Sequence, residues 1–290
     1  MPPKTLLLLL LALLLVLNGM PALAEAPAEP SAESADAQTL SLLAINVVKA
    51  DALLLRSGET AYLIDTGTKK SFDALYAALQ SEGITRLDGV ILTHTHSDHA
   101  GGLKKLLESD IAIDALYASA YYDCDLEKHP VTKALKKADQ QPPVTWLKGG
   151  DTLPLQGGTL EVLGPLGPSD KENNNSLVLL ASGGGGTMLL AGDMEFPEEA
   201  ELLSAGLIPR VDVLKVGNHG EGDATSDAFI AAAQPRVAVI STNTPEEPDT
   251  PDPRVIRLLN RYGIPILQTQ DTPLGVQVTL TNGEIHTELK

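Results

Sequence analysis

Cysteine is all but absent from this chain: Cys124 is the only one in 290 residues, so no intramolecular disulfide can form. Beside the tyrosines of Tyr121-Tyr122-Asp123-Cys124, that thiol reads as a small apolar filler rather than a catalytic nucleophile. Aromatic side chains are scarce as well, and three Phe with one Trp supply few platforms for stacking bases. Positive charge is also short: 21 Lys and Arg face 38 Asp and Glu, a formal net charge of −17. Setting aside Lys4, Glu25, Glu29, Glu33 and Asp36, residues 40–290 keep 20 basic and 34 acidic side chains, or −14. With no basic stripe, this balance opposes binding of long nucleic acids, which rests largely on cationic neutralisation of phosphates. A small-molecule or nucleotide-like substrate is the expected partner.

The apolar run over residues 6–17 falls short of the roughly 20 residues that a membrane-crossing helix needs. Lys4 precedes it, Asn18, Gly19 and Pro21 break it, and Ala22-Leu23-Ala24 follows with the small residues of a signal-peptidase site. Residues 1–24 are therefore expected to be an export signal cleaved after Ala24, leaving a secreted protein without stable membrane insertion. Residues 25–39 (EAPAEPSAESADAQT) hold Ala, Pro, Ser and acids but nothing to bury, and read as a disordered spacer. Residues 40–290 suit one folded unit, since α/β sandwiches and barrels commonly run to roughly 200–250 residues.

Along that unit, short apolar runs at 40–48, 52–56 and 61–64 read as strands, with Ser57-Gly58-Glu59-Thr60 as a hairpin turn. Residues 68–80 show helical spacing of Phe72, Leu75, Tyr76 and Leu79, with Ser71 as N-cap and Gly83 beyond the end. A buried strand at 89–93 leads into a histidine cluster, after which Gly101-Gly102 opens a helix to residue 107. A strand at 115–119, a helix at 132–138 and β segments across 144–164 follow. The glycine run 183–186 joins strands 177–181 and 188–191, and Pro197 starts a helix. Strands at 211–216, 237–241 and 264–268 then alternate with helices at 227–233 and 253–262, before a hairpin at Asn282-Gly283. Two β-rich blocks, each followed by helices, predict two sheets packed together with helices outside.

The chain has six histidines, and Thr93-His94-Thr95-His96-Ser97-Asp98-His99 holds three of them with an aspartate. A solvated loop has no use for such crowding, and an apolar core would have to satisfy two ring nitrogens on each imidazole. Metal coordination explains it, because imidazole nitrogen and carboxylate oxygen are the usual ligands of zinc. If 93–97 continues the strand, residues 94, 96 and 98 point to one side while His99 swings across as a helix begins, so His94 and His96 hold one ion and Asp98 and His99 reach a second. Further ligands are expected at strand ends: Asp193 in Leu189-Leu190-Ala191-Gly192-Asp193 as a bridge, and His219 after residues 211–216. Asp65, closing Ala61-Tyr62-Leu63-Ile64-Asp65, is either a carboxylate orienting a ligand imidazole or the former of an Asx turn. His286 reads as solvent-facing, and the charge runs Asp170-Lys171-Glu172 and Glu246-Glu247-Pro248-Asp249 as wetted loops.

Taken in order, the stretches at 63–67 (LIDTG), 93–102 (THTHSDHAGG), 192–193 and the glycine-flanked His219 resemble the motifs of the metallo-β-lactamase superfamily. More narrowly, residues 173–180 (NNNSLVLL) and 214–220 (LKVGNHG) resemble the metallohydrolase domain of the DNA-uptake competence protein ComEC and its secreted stand-alone relatives. The resemblance spans residues 40–290 and implies an α/β fold, a four-layer αββα sandwich with a dinuclear zinc site at one edge of the sheets. The superfamily's further histidine before the bridging aspartate has no counterpart, His129 standing in an unrelated context. Where the narrower group has HHGS this chain has Asn218-His219-Gly220-Glu221, and its G-H-P segment is replaced by Asp249-Thr250-Pro251. Asp223 is either a substitute ligand or acid, or a residue preceding a helix capped at Thr225 or Ser226.

The expected protein is a secreted hydrolase with two zinc ions, manganese being the alternative, held by His94, His96, Asp98, His99, Asp193 and His219. A water acidified by the two ions attacks the substrate, so no covalent nucleophile is needed, and Asp98 also serves as the catalytic hydrogen-bond partner of that water. The narrower resemblance implies phosphodiester hydrolysis, and charge favours small or nucleotide-like substrates. Lactone or β-lactam hydrolysis, and a zinc-binding module that has lost catalysis, are the alternatives.

Overall fold

A computed structural model describes residues 39–290. The export signal and the spacer lie outside the described residues except for Thr39, which already belongs to the first strand, Thr39–Ile45. Among the described residues, no helix is long and apolar enough to cross a membrane.

The alternation of apolar runs with turn chemistry produces two large sheets. The first has eight strands in the order Glu284–Leu289, Gly275–Thr281, Thr39–Ile45, Leu53–Ser57, Thr60–Ile64, Gly89–Leu92, Leu116–Ser119 and Val144–Leu147. The second has seven, running Ile266–Gln268, Val237–Ile240, Val213–Lys215, Gly186–Leu190, Val178–Gly183, Gly158–Gly164 and Thr152–Leu155. Each begins with antiparallel hairpins and continues as parallel strands. Gly89–Leu92 (GVIL) shows why: a four-residue run buried throughout suits a central parallel strand covered on both faces.

Three apolar clusters separate four layers. Leu42, Leu55, Ile64, Ile91, Leu160 and Leu179 pack in the middle, between the sheets. The helices Phe72–Ser81, Leu103–Leu107 and Pro130–Leu135 cover the outer face of the first sheet through Leu75, Leu79, Leu103 and Val131. Phe196–Ser204, Asp227–Ala233 and Pro253–Arg261 cover the second through Leu202, Phe229, Val255 and Leu259. The architecture is the expected αββα sandwich.

The helix expected from residue 68 starts at Phe72, and Ser71 makes no side-chain capping bond because its hydroxyl is engaged by Thr68. The strand before the histidines ends at Leu92, and Ser97–Ala100 is helical, so a helical turn presents Asp98 in place of a continued strand. The C-terminal hairpin returns to the first sheet, pairing Gly275–Thr281 with Thr39–Ile45.

Parallel strands leave their C-terminal ends along one edge of the sandwich. Asp65 follows Ile64, His94 follows Leu92, Asp193 follows Leu190, His219 follows Lys215 and Ser241 follows Ile240. Ligands of open α/β sheets sit at such ends.

Candidate metal centre

Six side chains meet at that edge. Asp98, His99, Asp193 and His219 form one group whose ligand atoms lie within 4.8 Å of one another, and His94, His96 and Asp193 form another. Asp193 belongs to both. Its Oδ2 lies 3.1 Å from His99 Nε2 and 3.7 Å from His94 Nε2, and its Oδ1 lies 3.6 Å from His219 Nε2. Asp98 Oδ2 is 3.5 Å from His219 Nε2 and 4.0 Å from His99 Nε2. His94, His99, Asp193 and His219 are buried, Asp98 is partly open and His96 is exposed.

Those distances suit a shared cation. Two ligands each roughly 2.0–2.2 Å from a tetrahedral ion stand about 3.3 Å apart, whereas all but the 3.1 Å contact are too long for good hydrogen bonds. The Nε2 atoms of His94, His99 and His219 and the Oδ1 of Asp193 are buried without a hydrogen-bond partner. Four orphaned atoms of ligand type would be costly in a core, and a cation in each of the two groups, sharing Asp193, would satisfy them.

The other side of each ring is occupied, and the chemistry of its partner selects the tautomer. A carbonyl oxygen only accepts, so His219 Nδ1 carries the proton it donates to Ser241 O at 3.0 Å. His99 Nδ1 likewise donates to Asp65 Oδ2 at 2.7 Å. Thr93 donates its hydroxyl proton to the same oxygen, also at 2.7 Å, leaving its lone pairs to His94 Nδ1 at 3.2 Å. Each Nε2 is thereby turned towards the cluster, the arrangement found behind metal-ligating histidines. Ser176, in the segment 173–176, contacts His94 Nδ1 at 3.2 Å and accepts from the amide of Asp193 at 3.1 Å.

Charge balances within the cluster. Burial opposes ionisation of Asp193, but the rings of His99 and His219 outweigh it and hold the carboxyl well below the usual range. Burial, with His99 beside it, holds His94 far below the ordinary histidine value. Burial also opposes charge on His99, yet Asp193 and Asp65 hold that ring well above its ordinary value.

Beneath His219 lies a pair that sequence reasoning missed. Lys215 is fully buried, donating to Asp51 Oδ2 at 2.8 Å and to Val216 O at 3.0 Å, while Asp51 Oδ1 is 3.8 Å from His219 Nδ1. Lys215 is the one charge in the otherwise apolar Leu214-Lys215-Val216, which hints at a buried partner without saying which. Glu172 departs from the wetted loop expected of residues 170–172. It is not a wetted charge but a buried one: Oε1 accepts from Thr95 N at 2.8 Å and Thr95 Oγ1 at 2.6 Å, and Oε2 from Asp123 N at 2.9 Å and Asn175 Nδ2 at 3.2 Å.

Asp65 proves to be the carboxylate behind His99. Asp223 is not among the clustered groups and accepts from Asn218 Nδ2 at 3.1 Å, while Ser226 caps the following helix. Asn218 and His219 have successive positive φ angles of 45° and 52°. Asn tolerates that conformation better than most residues, and the hydrogen bond to Asp223 holds it. His129 is buried away from the cluster, between Tyr122 and Trp146, where burial pulls it down to about 4. His286 is exposed, as expected, and Cys124 is partly buried.

Residues 45–244 match the model of the metallo-beta-lactamase superfamily. ComE operon protein 3 of Bacillus subtilis is 31% identical over 224 residues, covering 71% of this chain and 28% of that protein. Competence protein ComA of Neisseria gonorrhoeae is 26% identical over 239 residues, 80% of this chain and 31% of ComA. Recombination protein 2 of Haemophilus influenzae is 31% identical over 185 residues, 63% of this chain and 21% of that protein. The chain thus spans less than a third of each of these relatives. The metallo-beta-lactamase fold protein YhfI of Bacillus subtilis has the same fold at TM-score 0.51 and 14% identity, over 86% of this chain and 99% of YhfI. The β-hydroxylase CmlA matches at TM-score 0.56 and 15% identity, over 84% of this chain and 53% of CmlA. With its family model, its fold and its clustered motifs in agreement, the chain belongs to the metallo-β-lactamase superfamily.

Proposed function

We propose that this chain is an exported hydrolase of small phosphodiesters that works with two divalent cations, zinc in the first instance. His94, His96 and Asp193 would hold one, and Asp98, His99, Asp193 and His219 the other. The observation that carries the reading is that Asp193 stands between two groups of ligand atoms, with the Nε2 atoms of His94 on one side and of His99 and His219 on the other buried without hydrogen-bond partners. When bound, such a pair of cations supplies Lewis acidity that lowers the pKa of water and screens an anionic transition state.

The protein's own groups do the rest. Asp65, Ser241 and Thr93 keep the three buried rings in the tautomer that offers Nε2 to the cluster. Asp98 turns Oδ2 to His219 and is partly open to solvent, so its other oxygen is free to accept a proton from an attacking water. The resemblance of residues 173–180 and 214–220 to the ComEC metallohydrolase domain implies phosphodiesters as the substrate class, and the formal charge of −14 over residues 40–290 supports small ones over long polyanions.

The test is metal content together with turnover of bis(4-nitrophenyl) phosphate. Close to two zinc ions per chain and turnover reduced more than roughly 100-fold by Asp193→Ala are expected. Turnover equal in native and Asp193→Ala proteins would overturn the reading.

A further inference from the structure

A groove of about 620 Å³ opens beside the cluster, lined by Lys49, Lys69, Lys70, Ser97, Glu246 and Glu247 among others. None of the six clustered side chains lines the groove, but Ser97 does, and it is the chain neighbour of His96 and Asp98. We infer that Lys69 and Lys70 form a subsite for a second phosphate, carried by the same small phosphodiester whose scissile group meets the six clustered residues. The inference rests on the hydrolase reading and names its substrate class.

Three observations support it. Among the described residues, Lys69 and Lys70 form no ion pair with a carboxylate, although acids outnumber bases by 38 to 21 in the chain. Lys49 is different, being already tied to Glu221. The loop carrying the two lysines is also locked to the histidine loop. Thr66 N and Thr66 Oγ1 donate to His99 O at 2.6 and 2.9 Å, and Gly102 N donates to Gly67 O at 3.1 Å. A Cβ on Gly101 would stand 2.2 Å from Ser97 O and 2.8 Å from Lys69 N, so only glycine allows the two loops to touch. The subsite is thus held at a constant distance from the cluster, as a preorganised specificity contact requires. Finally, Glu246 and Glu247 bound the same groove. They repel an anion that continues along it, so the cationic end suits one terminal phosphate and not a long polyphosphate chain.

The experiment is calorimetric binding of adenosine 3′,5′-bisphosphate and adenosine 5′-monophosphate to zinc-loaded protein, which needs no turnover. The bisphosphate should bind at least roughly tenfold more tightly, the size of one or two charge-assisted hydrogen bonds, and the advantage should shrink at high salt. Lys69→Ala with Lys70→Ala should bring the ratio of dissociation constants near one, and Lys69→Arg with Lys70→Arg should restore it. A ratio near one in the native protein, or one unchanged by the double alanine variant, overturns the inference. If bis(4-nitrophenyl) phosphate is still hydrolysed in that case, the subsite alone has failed. If the ratio behaves as expected but no phosphodiester is turned over, the hydrolase reading has failed and the subsite stands.

Discussion

His99 Nδ1 lies 2.7 Å from Asp65 Oδ2, and neither side chain has any exposure. Asp65 also accepts from Thr93 N at 2.8 Å and Thr93 Oγ1 at 2.7 Å, so one carboxylate orients both a ring of the cluster and the residue that leads into it. Asp65→Asn puts an amide group among three donors. Zinc affinity, measured by chelator competition, is expected to fall roughly 10–100-fold. Unchanged affinity would remove Asp65 from the account.

Burial alone would lower His99 and His219, but Asp193 and Asp65 raise the first, and Asp193, Asp98 and Asp51 raise the second. In the cation-free protein their protonation therefore stabilises the fold. That contribution is full below the ordinary value of about 6.5 and is lost as pH rises through the raised folded-state values. Cations must displace the same protons, so zinc affinity should increase from about pH 6 to about pH 8. Calorimetry in buffers of differing ionisation enthalpy should register the release, and affinity independent of pH would contradict it.

The buried pair beneath His219 gives a stability prediction. Lys215→Ala removes the ammonium hydrogen-bonded to Asp51, leaving that buried carboxylate only the longer 3.8 Å approach to His219 Nδ1, and should cost about 3–5 kcal/mol in urea unfolding of chelator-treated protein. Adding Asp51→Leu to Lys215→Met should recover most of that. A cost below about 1 kcal/mol for the single variant would show that the pair is solvated in solution.

Glu172 joins the backbone between His94 and His96 to the loop at Asp123 and to Asn175. Glu172→Gln leaves one oxygen for four donors. The position built from His94 and His96 should then loosen while that of Asp98, His99 and His219 holds. Dialysed protein is expected to retain one zinc per chain instead of two, with an altered cobalt absorption spectrum. Equal loss from both positions would make Glu172 a general structural residue.

The cluster itself was legible in the sequence because residues 94–99 concentrate ligand types beyond any structural need, and because Asp193 and His219 each follow a strand. Strand and helix order was legible for the same kind of reason, local periodicity. What escaped was non-local. Lys215 finds Asp51 across 164 positions, and nothing in either segment names the other. Glu172 sits in a charged run that looks wetted until the fold brings Thr95 over it. The helix expected to begin at His99 starts at Ser97, because strand alternation and helical spacing both bring residues 94–99 together and alternation alone does not mark the changeover.

Whether two cations share Asp193 is decided by anomalous diffraction at the zinc edge from zinc-loaded crystals. Two peaks roughly 3.5–4 Å apart are expected, one beside His94 and His96 and one beside Asp98, His99 and His219, with Asp193 contacting both. A cluster that stays free of anomalous density, or one with a single peak that leaves Asp193 uncoordinated, would contradict the account.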